Sequence, residues 1–415
     1  MAHGLLTESA PRTGPFVRLA AAPWWAGVLA VFVASRVVTT IVLLVDAALQ
    51  PGNSFAPESP PPYWRFATYW DGIWYHLIAT SGYPSTLPTD DAGNVTENAW
   101  AFLPAYPGLV RGVSLLTTVP YEVVAIVVSL LCTLGTALLF HRILVRRLSA
   151  GDALWGVALF CFAPLSPILQ VGYAEPMQLL LVAAVLLLVL QRRYLVTVPL
   201  VALAGFTRPT GLALALFLLL HLVQRLRRRD AEALVPGQLA GILLAGATAF
   251  VAGIAWPVIA GIATGVPDAY PRTELVWRVG YIGQHELVPF TPWFLGAGWW
   301  LRFVGVPDPA ATIVGSVLVV LVAALLAVIL LLPSVARRLE PEPRLWVASY
   351  AVYLLAVFFP QSSTFRLLVP AFPLLGAVQP RGTAVRAVIL AACVAGQAGW
   401  VAICWWVAGY DWSPP

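Results

Sequence analysis

Long apolar runs separated by short polar breaks dominate the chain. A helix that crosses a bilayer needs about 20 mostly apolar residues. Full-length runs of this kind lie at 24–49, 121–145, 151–170, 176–191, 238–263, 311–333, 344–360 and 385–408. Shorter ones lie at 366–379 and in a pair, 195–206 and 210–224, interrupted by Thr207-Arg208-Pro209-Thr210-Gly211. Proline lacks a backbone donor and glycine weakens a helix. The pair therefore reads as a hairpin of two partial helices with its apex at membrane depth, where irregular backbone is tolerated only beside protein or a wet cavity.

The pattern predicts an all-α polytopic membrane protein, residues 1–415 forming one membrane domain. Composition agrees: 60% of the 415 residues are hydrophobic and 10% charged, against about 25% charged in soluble domains. Residues 1–23 lack a cleavable signal pattern, and 24–49 is longer than a signal peptide's apolar region. Cys132, Cys161, Cys393 and Cys404 all sit inside apolar runs and read as core residues, with neither a disulfide framework nor a metal site. The net charge of +5 is spread over loops and makes no nucleic-acid patch. HExxH, CxxC, Walker and GxGxxG patterns are missing, so no metalloprotease, redox or nucleotide-binding chemistry is indicated. No internal repeat of the transporter kind is visible.

Every basic residue is Arg, and these orient the chain. Arg142, Arg146 and Arg147, Arg192 and Arg193, Arg225 to Arg229, Arg337, Arg338 and Arg344, and Arg381 and Arg386 fall on one side when the spans alternate. The positive-inside rule makes that side, with the N-terminus, cytoplasmic. The opposite side receives a long first loop (50–120), a short turn (172–176), a second large loop (264–310) and the turn 361–366. Candidate chemistry gathers on this outer face, where nucleotide sugars are absent.

The first outer loop carries Tyr69-Trp70-Asp71-Gly72-Ile73-Trp74-Tyr75-His76. Residues 68–81 read as an amphipathic interfacial helix, with Trp70, Ile73, Trp74, Leu77 and Ile78 at helical spacing and Gly82 at its end. Asp71 then falls in the first turn, where the helix dipole favours its charged form. Thr68-x-x-Asp71 is compatible with a capping box; Asp71 is equally suited to general-base work on a sugar hydroxyl, and one residue can do both. The following Ala99 to Pro107 stretch is either an interfacial anchor or a pocket wall. Arg36, Asp46, Glu175, Arg208 and Arg366 are ionisable groups in or beside apolar runs, and such groups are usually functional. Arg208 and Arg366 suit phosphate, or pairing with a carboxylate such as Glu175, or snorkelling to the headgroups. His285 and Glu286 are neighbours in the second large loop.

Five pieces in order resemble the PIG-V type mannosyltransferases and their bacterial relatives, within the GT-C class of integral-membrane glycosyltransferases. They are Trp70 to Tyr75 with Ser81-Gly82-Tyr83; Ala101-Phe102-Leu103-Pro104-Ala105-Tyr106-Pro107; Gly172-Tyr173-Ala174-Glu175-Pro176; Thr207-Arg208-Pro209-Thr210-Gly211; and Phe365-Arg366-Leu367-Leu368-Val369-Pro370. The resemblance implies a GT-C bundle of about 9–12 transmembrane helices. It implies a polyprenyl-phosphate sugar donor, mannose first, and a lipid or cell-envelope glycan acceptor at the outer face of a bacterial plasma membrane. It further implies Asp71 as catalytic base with inversion, and Arg366 and Arg208 on the donor phosphate. Trp70, Trp74, Tyr75, His76, Tyr106, Tyr173, Glu175, His285 and Glu286 form the expected pocket, with no metal or other cofactor. The family commonly has Ser before the Glu of the third piece and an apolar residue after it; here these are Ala174 and Pro176. Competing readings are a glycolipid or polyprenyl-phosphate flippase, a non-catalytic glycolipid-binding subunit, and the same chemistry with arabinose or glucose.

Overall fold

The computed structural model describes residues 16, 19, 23–52 and 56–407. The signal-peptide reading of 1–23 thus lies almost wholly outside the described residues, as does position 408 of the last predicted span. Among the described residues the regular elements are helices: α1 (Trp24–Leu49), α2 (Tyr63–Phe66), α3 (Asp71–Ser81), α4 (Ala105–Thr117), α5 (Tyr121–Leu144), α6 (Ala150–Phe162), α7 (Glu175–Leu190), α8 (Tyr194–Gly205), α9 (Gly211–Arg227), α10 (Pro236–Thr264), α11 (Ala269–Ile282), α12 (Pro292–Phe303), α13 (Ala310–Leu331), α14 (Pro333–Arg338), α15 (Pro341–Val357), α16 (Thr364–Leu367) and α17 (Thr383–Cys404). Three 3₁₀ segments, Ala99–Ala101, Ser166–Leu169 and Val369–Ala377, join them.

Five of these helices, α1, α5, α10, α13 and α17, are long and apolar enough to cross a membrane. Only 11% of the apolar window of α13 is buried inside the protein. A helix apolar on all sides yet unburied belongs in lipid. The protein is an all-helical polytopic membrane protein.

One predicted span comes out shorter than the sequence suggested. The run 151–170 is helical only to Phe162, whereas 176–191 and 344–360 return at their predicted lengths, shifted by one and three residues, as the 16 residues of α7 and the 17 of α15. At about 1.5 Å per residue, α6 reaches only about 20 Å, against a hydrocarbon core of about 30 Å. Pro164 and Pro167 end the regular helix, because neither supplies a donor. Arg36, inside α1, donates from its two terminal nitrogens to the carbonyls of Cys161 (2.7 Å) and Ser166 (3.2 Å). It thereby satisfies acceptors that the broken helix leaves open inside the bundle. The hairpin of partial helices is present as α8 and α9.

The bundle has two chemically distinct ends. At one, Arg147 pairs with Glu340 (2.7 Å), Arg192 with Glu232 and Glu342 (2.9 Å each), and Arg386 with Asp152 (2.7 Å). At the other end lie α3, the 170–174 turn, the α8–α9 apex, α11 and α16.

Candidate active site

Four segments far apart in sequence deliver one ionic cluster. Asp71 opens α3, Glu175 opens α7, Arg208 sits at the α8–α9 apex, and Arg366 lies in α16. Arg366 Nη1 donates to Asp71 Oδ2 at 2.5 Å, and Arg208 Nη1 is 3.6 Å from the same oxygen. Arg208 Nη2 donates to Glu175 Oε1, and Arg366 Nε lies 3.3 Å from that atom. Two carboxylates face two guanidiniums, so the cluster is formally neutral, the usual condition for burying charge. All four side chains are at most 14% exposed. Burial pulls the Arg366 guanidinium's pKa down, but the attraction of Asp71 and Glu175 outweighs this and leaves it above the ordinary value.

Local sequence explains how each group is held. Trp70 has φ 58° and ψ −119°, and Gly72 N–H donates to Tyr69 O at 3.2 Å. This is a type II′ turn with Trp70 in the position normally reserved for glycine. A non-glycine residue there costs about 1–3 kcal/mol and persists only when its surroundings over-determine it. The Trp70 indole donates to Cys404 O at 2.8 Å. Asp71 N–H donates to the Tyr173 hydroxyl at 3.3 Å, and the Arg366 guanidinium lies over the Tyr173 ring at 5.4 Å. Gly172 lets the two turns touch: its N–H donates to Ala67 O at 2.9 Å, and a Cβ there would meet the Thr68 methyl at 2.8 Å. Gly211 does the same for the Arg208 apex, since a Cβ would stand 2.5 Å from Gly253 N on α10.

The cluster lines one end of a cavity of about 400 Å³. Asp71, Glu175, Arg208 and Arg366 all face it. Among residues lining it, Glu175 Oε2, Gln178 Oε1 and Gln361 Oε1 are buried polar atoms without a hydrogen-bond partner. Each unmade bond costs about 1–3 kcal/mol, so such a concentration in one cavity marks a place built for a polar ligand. The walls are aromatic, including Trp256, Tyr270, Trp277, Tyr350, Tyr353 and Phe359.

The other predicted pocket residues take different places. Trp74 stacks on Phe102 at 5.5 Å, and Tyr75 packs edge-on against Phe102 and Tyr106. The Tyr106 hydroxyl donates to Ala125 O at 3.1 Å. Burial raises the phenols of Tyr75, Tyr106 and Tyr173, which stay neutral. Trp70, Trp74, Tyr75, Tyr106 and Tyr173 thus support α3 from behind. His76 stacks on Tyr121 and lies 3.2 Å from Glu122, in a separate groove of about 490 Å³ on the far face of α3. His285 contacts Gly283 O at 2.9 Å in an exposed loop, and neither it nor Glu286 lines the cavity. The expected capping box does not form. The Thr68 hydroxyl bonds back to Trp64 O at 2.9 Å, and α3 starts at Asp71 instead of 68.

Sequence reasoning left Glu274, in the second large loop, out of the expected pocket, yet it lines the cavity from α11. Burial raises its carboxyl above the usual range, against opposing pulls from Arg278 and a hydrogen bond from Tyr270. The signal was available: Tyr270, Glu274, Trp277 and Arg278 all line the cavity and recur at one helical face's spacing.

No family model and no curated protein matches the sequence. Among solved structures, the crystal structure of an Archaeoglobus fulgidus oligosaccharyltransferase, in complex with Zn and sulfate, is similar at 12% identity and a TM-score of 0.40, over 90% of this chain and 51% of that one. The chain thus spans about half the length of that archaeal protein.

Proposed function

We propose that the protein is a GT-C type membrane glycosyltransferase that moves a sugar, mannose first, from a polyprenyl-phosphate donor to a hydroxyl of a lipid-linked or cell-envelope acceptor. The observation that carries this reading is the convergence of Asp71, Glu175, Arg208 and Arg366 on one aromatic-walled cavity. Arg-rich loops occupy the opposite end of the bundle, which the positive-inside rule assigns to the cytoplasm. The site then faces the outer side of a bacterial plasma membrane.

In the resting arrangement Arg366 and Arg208 hold the Asp71 carboxylate. A donor phosphate offers the same guanidiniums another anion with oxygens spaced for parallel hydrogen bonds. Its arrival draws them from Asp71, which is then free to accept a hydrogen bond from the acceptor hydroxyl. As that oxygen attacks the anomeric carbon, its proton passes to Asp71. The bond between the anomeric carbon and the phosphate oxygen breaks, and the polyprenyl phosphate leaves with the electron pair. Attack opposite the leaving group inverts the anomeric centre. Charge growing on the phosphate is stabilised by the fixed guanidiniums.

Asp71 and Glu175 already hold guanidinium partners, so the reading gives them no resident metal. The test is transfer from synthetic polyprenyl-phosphate mannose to candidate acceptors by purified protein in detergent, with and without EDTA. Donor consumption that survives EDTA supports the reading. Translocation of the donor across reconstituted vesicles without its consumption would replace it with a flippase.

A further inference from the structure

We propose that Cys404, the last residue of α17, and the residues that follow it as far as Val407 form a clamp that positions the Asp71 turn, with Trp405 as its central residue. The inference rests on the reading of Asp71 as the acting carboxylate. Trp70 holds a backbone conformation that an L-residue rarely adopts (φ 58°), directly before Asp71. Something must over-determine it. Two of the restraints come from more than 330 residues away in sequence: Cys404 O accepts from the Trp70 indole at 2.8 Å, and the Trp405 indole donates to Phe66 O at 3.0 Å. The clamp therefore grips the chain at the strained residue itself and four residues before it.

The clamp is in turn anchored to Gln50, the residue that caps the end of α1. Gln50 Nε2 donates to Trp405 O at 2.8 Å, and Gln50 Oε1 accepts from Val407 N–H at 3.1 Å. Trp405 is fully buried, and its ring lies 5.8 Å from that of Tyr173. Tyr173 touches Asp71 N–H and lies beneath Arg366. One indole thus contacts both the chain entering the turn and the phenol on which the Asp71–Arg366 pair rests. Since ψ of Trp70 fixes where the next residue departs, relaxing the turn swings the Asp71 carboxylate relative to Arg366. A misplacement of about 1 Å in a reacting group can cost up to about 100-fold in rate. Trp405 is therefore a positioning residue that touches no substrate.

The experiment uses the full chain purified in detergent with polyprenyl-phosphate mannose as the probe. Trp405→Phe keeps the ring's bulk and removes the donor to Phe66 O. The expected result is a fall of about tenfold in turnover, with the donor KM within about twofold, because the phosphate contacts are untouched. Trp400→Phe, which trims a ring that also packs on Trp405 at 5.3 Å, leaves turnover unchanged. Trp70→Gly added to Trp405→Phe recovers most of the lost rate, since glycine takes the turn conformation without strain. A general packing defect would not be rescued this way. Amide exchange over residues 66–76 gives a readout independent of transfer: it speeds up in Trp405→Phe and slows again in the double variant. Wild-type turnover and exchange in Trp405→Phe, or no recovery by Trp70→Gly, overturns the clamp. Wild-type turnover in Asp71→Asn overturns the role of Asp71 instead, and the exchange measurement still judges the clamp.

Discussion

Asp71→Asn removes one charge from the cluster and leaves its shape. The cluster then passes from neutral to a net charge of +1, with Arg366 and Arg208 both facing Glu175. At 2.5 Å from Arg366 Nη1, the gross attraction lost is about 6–7 kcal/mol at an effective dielectric of about 20. Relief of desolvation offsets much of this, and breaking a buried pair typically costs about 3–5 kcal/mol net. Arg366 keeps Glu175 and Asn keeps a hydrogen bond, so a stability loss of about 2–3 kcal/mol is expected, enough to lower Tm without unfolding the protein. Turnover is expected to fall about 10²–10⁴-fold with loss of the base. Donor binding should tighten by up to about tenfold, worth 1.4 kcal/mol, because the guanidiniums no longer have Asp71 to release. The assay pairs single-turnover transfer with equilibrium binding of a non-transferable donor analogue. Near-normal transfer would refute the base role, and weaker binding would refute the competition between Asp71 and phosphate for the arginines.

Other predictions follow from the same geometry. Arg366→Ala should raise the donor KM about tenfold or more, and Arg366→Lys should restore it only in part because an ammonium lacks the planar fork; equal KM values for wild type and Ala would remove the phosphate role. Glu274 binds its proton more tightly in the folded state than its ordinary value of 4.5, so its contribution to stability is present below that pH and lost as pH rises through the raised value. Wild-type Tm should therefore decline relative to Glu274→Gln from about pH 4.5 upward, and parallel pH profiles of the two would count against it. Gly211→Val places a side chain 2.5 Å from Gly253 N, so it should cost about 1–3 kcal/mol and lower transfer by shifting Arg208. Thermal unfolding and turnover measured together check both effects.

Much of the site was legible as residue types. Asp71, Glu175, Arg208 and Arg366 are ionisable groups beside apolar runs, and charge in that setting needs a reason. Pairing of Arg208 and Arg366 with Glu175 was one of the alternatives the sequence offered, and it forms; the Asp71–Arg366 distance was not legible, because the two are 295 residues apart and a turn type and close glycine contacts together set it. The aromatic residues of the Asp71 stretch look like pocket walls on paper. Side-chain direction along α3 turns Trp74 and Tyr75 toward Phe102 and Tyr106 instead. His285 was singled out for its chemistry, but its loop keeps it away from the cavity lining, whereas Glu274 reaches it on a helical face.

The sequence by itself determined the solvent and the class of fold. Apolar runs of bilayer length leave helices as the means of satisfying backbone groups, and the runs at 24–49, 121–145 and 311–333 return as α1, α5 and α13 within one or two residues. Only the tertiary structure decided where α6 stops and what the helix ends share. The interruption of α6, the α8–α9 apex and the strained turn at Trp70 each cost local stability, and packing from distant segments, such as Arg36 on α6 and Cys404 on Trp70, offsets that cost. A neutral buried quartet is likewise a property of four chains in space, since each charge is tolerated there only because the others are present.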